Sequence, residues 1–253
     1  MALAVSTADV RATRYVTPLR EGGSMPGLME ADDDGLYVVK FRGAGQGTLA
    51  LAAELICASI AARCELSVPR LAFVDVDPAI GVAEPDPEIQ ELIVASPGRN
   101  LGSDFLPGAV TYSPAGDWQP TPETAAAVVW LDAFFTNVDR TARNPNLLVW
   151  HGDLWLIDHG AALYLQHAGL EASMADRAFP QIADHVLLPI AGSIAEAGDR
   201  IATQVNETAI AEAVGTVPPE WFTAAPASVY VEYLTARLLD RSRIEQEIED
   251  SRG

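Results

Sequence analysis

The sequence predicts an α+β fold in two lobes. The first lobe is a β-sheet with one main helix; the second is mostly helical and built around one β-hairpin. Three observations carry this. Short, turn-punctuated apolar runs occupy the chain before residue 42, an Ala-rich helical stretch follows at 48–63, and beyond residue 120 the mainly helical pattern is interrupted by two short apolar runs around a turn. The division is placed at 1–108 and 109–253. A chain of 253 residues buries about three-quarters of its unfolded surface, so it needs no disulfide or structural metal to be stable.

In order, Tyr15 to Phe41 reads as a turn-rich hairpin region. It runs through Arg20-Glu21-Gly22-Gly23-Ser24-Met25-Pro26-Gly27 and the acidic turn Asp32-Asp33-Asp34-Gly35 into the strand Leu36-Tyr37-Val38-Val39-Lys40-Phe41. Gly43-Ala44-Gly45-Gln46-Gly47 interrupts it, and Thr48 to Arg63 is a helix with Leu51 and Leu55 on one face. Val68 to Val76 is a strand opened by Pro69, Pro87 to Ser96 a short helix stopped by Pro97-Gly98, and Phe105-Leu106-Pro107-Gly108 a connector. Thr121-Pro122-Glu123 opens the next helix, with Thr as cap and Pro in the first turn; Val128, Leu131 and Phe135 form its apolar face, and it ends near Asn137. Leu147 to Trp150 and Leu154 to Ile157 make a hairpin turned at His151-Gly152-Asp153, and helices follow to the end, with Tyr230, Tyr233, Leu234 and Leu238 at core spacing.

Charge narrows the function. A formal net charge of −19 with only 16 Lys and Arg argues against direct nucleic-acid binding and against an anionic membrane surface. Cys57 and Cys64 are read as reduced core thiols on one helix. Neither a signal peptide nor an apolar run of the ~20 residues a membrane span requires is present, so the expected compartment is the cytoplasm. His151, His159, His167 and His185 lack zinc-site spacing and are taken as non-ligands.

The stretch Trp150-His151-Gly152-Asp153-Leu154-Trp155-Leu156-Ile157-Asp158-His159-Gly160 holds two aspartates. Phosphoryl transfer asks for a carboxylate at the attacking hydroxyl, oxygen ligands for Mg²⁺ and a cation on the phosphates. Kinases place an asparagine five residues after the base aspartate and a second aspartate after a short hairpin. Asp153 fails this pattern, because position 158 is aspartate. Asp139 satisfies it, with Asn144 five residues on and Asp158 after the hairpin. Asp139 is therefore the candidate base, and Asn144 and Asp158 are the candidate Mg²⁺ ligands. Lys40 at a strand end is placed to reach ATP phosphates, and Glu54 on the next helix to pair with it and keep it charged. Gly22, Gly23 and Ser24 form a turn whose backbone approaches phosphate closely, and Leu106 on the connector is counted with the nucleotide-binding positions. The plainer alternatives are turn caps around Pro145 for Asp139 and Asn144, a strand-end aspartate for Asp158, and an ordinary Lys40–Glu54 surface pair worth about 0–1 kcal/mol.

With Tyr37-Val38-Val39-Lys40-Phe41, Glu54, Asn137-Val138-Asp139-Arg140-Thr141-Ala142-Arg143-Asn144 and Trp155 to Ala162, the sequence resembles a HipA-like kinase domain over roughly residues 15 to 165. It is similar, more distantly, to phosphatidylinositol kinases. The resemblance implies a protein-kinase-like fold and ATP- and Mg²⁺-dependent phosphorylation of a hydroxyl on a protein or small molecule. Asp139 would be the base, and Asn144 and Asp158 the metal ligands. Thr141 stands where many relatives have His, so any support that a His gives this loop must come from elsewhere. The phosphate turn lacks the lysine of HipA-like toxins, and no antitoxin-linked role is carried over. Arg140 and Arg143 either steer an anionic substrate or brace the loop. A nucleotide-binding pseudokinase acting as a regulatory module is the alternative function, and transfer of AMP a third.

Overall fold

The computed structural model of the chain describes residues 7–19, 25–45 and 47–252. Gly22, Gly23 and Ser24 lie outside the described residues. The described residues divide into two compact units, one formed by residues before Ala52 with Pro69–Pro107, the other by Ala52–Val68 with the residues from Gly108 on.

The first unit is a closed barrel of five strands in the order β1-β2-β3-β5-β4. β1 (Ala8–Pro18), β2 (Gly27–Ala31) and β3 (Leu36–Lys40) form an antiparallel meander, and β1 also pairs in parallel with β4 (Leu71–Val76) to close the ring. In β3, Tyr37 and Val39 are fully buried while Leu36, Val38 and Lys40 are half-buried, the period of two that sends alternate side chains to opposite faces. The acidic turn before it is tied inward: Asp33 accepts the Tyr37 hydroxyl at 2.7 Å and the Gly35 amide at 3.0 Å. Val10, Met29, Tyr37, Val39, Val74 and Ile93 share one apolar core. The short helix α2 (Pro87–Val94) starts at Asp86, which accepts from the Glu88 amide at 3.0 Å; it stops two residues before the expected Ser96.

β5 (Gly98–Asp104) was not expected from the sequence. Its residues, Gly-Arg-Asn-Leu-Gly-Ser-Asp, have almost no β propensity, yet β5 is a central strand between β3 and β4. Two features accommodate it. Fully buried Asn100 satisfies its carboxamide locally, donating to the Ser96 and Gly98 carbonyls at 2.9 and 2.8 Å and accepting from the Arg42 amide at 2.7 Å. At Gly102 a Cβ would stand 2.6 Å from Val74 Cγ2, so the close strand packing requires glycine.

α1 (Gly47–Arg63) runs from the first unit into the second. Cys57 is buried on it, and Cys64, just past its end, is half-buried; both are free thiols. The centre of the second unit is α3 (Pro122–Phe135), apolar on nearly every side and buried accordingly. Thr121 caps it, accepting from the Thr124 amide at 3.2 Å. Against it pack α4 (Ile194–Gln204), α6 (Ala227–Leu239) and α7 (Arg241–Asp250), and α5 (Glu207–Gly215) packs on α6. On α6, Tyr230, Tyr233 and Leu234 are buried as the spacing predicts, but the next buried position is Arg237 rather than half-buried Leu238. The reason is the end of α3. Arg237 donates to the carbonyls of Ala133 and Phe134 at 2.8 and 2.9 Å, in the last turn of α3, where carbonyls run out of helical partners. A small sheet joins β6 (Val110–Thr111), β7 (Leu147–Trp150) and β8 (Asp153–Leu156). Among the described residues no helix is long and apolar enough to cross a membrane.

Candidate active site

The candidate base sits on the loop between α3 and β7. Thr136, with a left-handed φ of 53°, turns the chain out of α3. One turn earlier Asp132 stays buried and accepts from three sides: Asn137 Nδ2 at 2.9 Å, His185 Nε2 at 2.9 Å, and Arg140 Nε. Asn137 accepts the Asp139 amide at 3.2 Å. The loop is thus folded over a buried carboxylate. Within it, Asp139 Oδ2 accepts from Asn144 Nδ2 at 2.8 Å and Asn146 Nδ2 at 3.4 Å, while Thr141 and Asn144 exchange two further bonds at 3.0 and 3.2 Å. Asp139 and Asn144 are half-buried. Asn144 spends its amide group on Asp139, which leaves its carbonyl oxygen for a ligand.

The hairpin β7–β8 delivers the second carboxylate. Its turn is His151-Gly152, with φ of 51° and 87°, the backbone that two-residue hairpin turns demand; exposed Asp153 is already the first residue of β8, paired with Trp150. Past β8 the Ile157 amide donates to the Asn146 carbonyl at 3.2 Å. Arg140 Nη1 also donates to the Asn146 carbonyl and, at 3.3 Å, to that of Ile157. Asp158 follows directly, half-buried and in the left-handed region at φ 54°, where a non-glycine residue is uncommon and costs backbone strain. An amide oxygen from Asn144 and a carboxylate from Asp158 are hard donors, a set that fits Mg²⁺ or Mn²⁺ better than a softer metal.

Electrostatics beneath the loop are set by burial and by Arg140. Burial alone would raise the Asp132 carboxyl, but Arg140 and His185 outweigh it and hold it well below the usual carboxylate range. His185 is pushed down by burial, with Asp132 opposing and Arg140 adding to the shift. Its Nδ1 accepts the Leu187 amide at 3.1 Å, so the proton resides on Nε2, facing Asp132.

Asp139, Asn144 and Asp158 therefore lie in the second unit on segments that are hydrogen-bonded to each other. Glu54 belongs to the same unit, 6% exposed, with Oε1 at 3.4 Å from His159 Nδ1. Lys40 and Leu106 are placed by the barrel unit, Lys40 half-buried at the end of β3 in register with Leu101, Leu106 buried beyond β5. Arg140 is wholly buried, which excludes substrate steering and leaves bracing of the loop. Sequence reasoning did not single out Asp132 or His185. A carboxylate on the apolar face of a helix eight residues before an arginine was a usable signal for Asp132; nothing comparable marked His185, which reaches the loop from 44 positions beyond Thr141 and bridges it backbone to backbone.

The sequence profile of the HipA-like kinase family matches residues 13–246. Among solved structures the chain is similar to CtkA, a proinflammatory kinase of Helicobacter pylori, with a TM-score of 0.56 and 14% identity, covering 98% of this chain and 97% of that one. It is also similar to a Golgi casein kinase with Mn and ADP bound, with a TM-score of 0.53 and 12% identity, covering 98% and 74%. Identities this low carry the fold alone, which is the mixed α+β kinase-like arrangement. No curated protein matches.

Proposed function

The chain belongs to the HipA-like kinase family, a family of phosphotransferases, and from that premise we propose that it transfers the γ-phosphoryl group of ATP to a hydroxyl of a protein or small-molecule acceptor. The observation that carries this reading is the setting of Asp139. Its Oδ2 is held by Asn144 and Asn146, while Oδ1 has no hydrogen-bond partner among the described residues, so one oxygen is oriented and the other keeps its capacity to accept a hydrogen bond.

In the proposed reaction the acceptor hydroxyl donates its hydrogen bond to Asp139 Oδ1. As the hydroxyl oxygen bonds to the γ-phosphorus, the bond from phosphorus to the β–γ bridging oxygen breaks, ADP leaves with that electron pair, and Asp139 takes the hydroxyl proton. Asn144 Oδ1 and the Asp158 carboxylate would hold divalent metal, whose part is to neutralise charge on the phosphates. Mg²⁺ is the expected ion; the Golgi casein kinase binds Mn with ADP, and the same oxygen donors suit either. Lys40 is assigned to the α- and β-phosphates with Glu54 as its counter-charge, and Leu106 to the nucleotide. Gly22-Gly23-Ser24 keeps its phosphate-turn role on sequence alone.

Asp139→Asn is the direct test. It keeps the hydrogen-bonding shape of the loop but cannot take a proton, so turnover falls about 10²–10⁴-fold while Mg·ATP affinity stays within about twofold, read by calorimetry. A wild-type protein that binds Mg·ATP and turns nothing over would instead be a nucleotide-responsive module.

A further inference from the structure

The Arg140 side chain touches both segments bearing the proposed metal ligands. Its Nη1 donates to the carbonyl of Asn146, two residues after Asn144, and to that of Ile157, the residue before Asp158. The guanidinium is a rigid planar fork, so the positions of these two carbonyls are fixed relative to one another by where the fork sits. Asp132 decides that position. It takes Arg140 Nε on Oδ2 and anchors it to the buried end of α3, both side chains being nearly inaccessible at 0% and 2% exposure.

His185 completes the arrangement from the far side. Its Nε2 donates to the same Asp132 Oδ2 at 2.9 Å, its Nδ1 accepts from Leu187, its backbone bridges Thr141, and the Val186 amide donates to the Arg140 carbonyl at 3.0 Å. The position after the Asp139-Arg140 pair is Thr141, and the imidazole that braces this loop arrives from residue 185. A buried ion pair is weak evidence of added stability, since apolar residues of similar volume often serve better. One that ends on the carbonyls flanking two ligand positions has a geometric consequence.

We infer that Asp132, Arg140 and His185 form a positioning unit that sets the spacing of Asn144 and Asp158, and so the affinity of the site for divalent metal. This rests on the metal-ligand assignment proposed above. None of the three touches substrate; they act through the backbone of the two ligand-bearing segments. Partners just outside a ligand set commonly change metal affinity about 10–100-fold.

The test is Mn²⁺ binding by the full chain in the presence of ADP, followed by electron paramagnetic resonance, with ADP affinity in the absence of metal measured alongside. His185→Leu removes the bond to Asp132 and is expected to weaken Mn²⁺ binding about tenfold. His185→Gln, which keeps an N–H donor toward Asp132, is expected to regain most of it, and metal-free ADP affinity to stay within about twofold in both. A merely structural histidine would not give this split or this rescue. Should His185→Leu fail to fold, Arg140→Lys, which keeps the charge and loses the fork, supplies the same comparison. Mn²⁺ affinity unchanged in folded variants overturns the inference, whether or not the wild type transfers phosphate. Weakened Mn²⁺ binding in variants of a wild type that transfers no phosphate upholds it while contradicting the proposed reaction. A wild type that binds no Mn²⁺ with ADP overturns both.

Discussion

Asp132 is held ionised and His185 neutral: burial lowers the imidazole with Arg140 adding to the shift, while at the carboxylate Arg140 and His185 outweigh burial. The cation favours an ionised carboxylate on one side and disfavours an imidazolium on the other. The consequence for pH follows from the sign of each shift. His185 has its pKa lowered in the fold from the ordinary 6.5, so below about 6.5 the unfolded chain binds a proton that the folded chain refuses, and stability falls with pH. Asp132 is also lowered; its contribution is present above the usual carboxylate range and is lost only in strong acid. Urea unfolding of the wild type is therefore expected to lose stability between about pH 6.5 and 5, and His185→Gln to lose markedly less over that window. Equal slopes for the two would show that His185 is not the group responsible. At this scale the sequence offers a pattern where a residue type and a spacing coincide, as with Asp139, Asn144 and Asp158, the residues of the proposed site. It was not legible for His185, because a contact made across 44 positions leaves no local pattern.

Elements were readable in proportion to how far their own residues specify them. α3 carries its start signal in Thr121-Pro122, and the β7–β8 hairpin carries its turn in His151-Gly152, so both were placed from sequence. β5 was missed because neighbours specify it: β3 and β4 flank it, and its glycine and asparagine answer to tertiary contacts rather than to propensity. Gly102 tests that account. Val74 is β-branched and stiff, so a methyl group 2.6 Å from its Cγ2 cannot be absorbed by a rotamer change. Gly102→Ala is expected to destabilise the barrel by about 1–3 kcal/mol, measured by denaturant unfolding. Gly108→Ala, by contrast, meets no atom within 4 Å, so its cost comes from its φ of +78° alone.

At the scale of the whole molecule, the order of strands, one long helix and then helices around a hairpin was enough to anticipate the α+β kinase-like fold, and the family profile now spans residues 13–246. Closure of the first sheet into a barrel was not legible, because the parallel β1–β4 pairing joins segments some sixty residues apart. The net charge of −19 disfavours a polyanionic acceptor and fits the proposed protein or small-molecule hydroxyl. The central claim is that Asp158, not the neighbouring Asp153, serves a γ-phosphoryl transfer. Incubation with Mg²⁺, cell extract and ATP labelled at either the γ- or the α-phosphate tests it most directly. The expected result is transfer of the γ-label alone by the wild type and by Asp153→Ala, and its loss with Asp158→Ala. Equal γ-labelling by Asp158→Ala, or transfer of the α-label, would contradict the account.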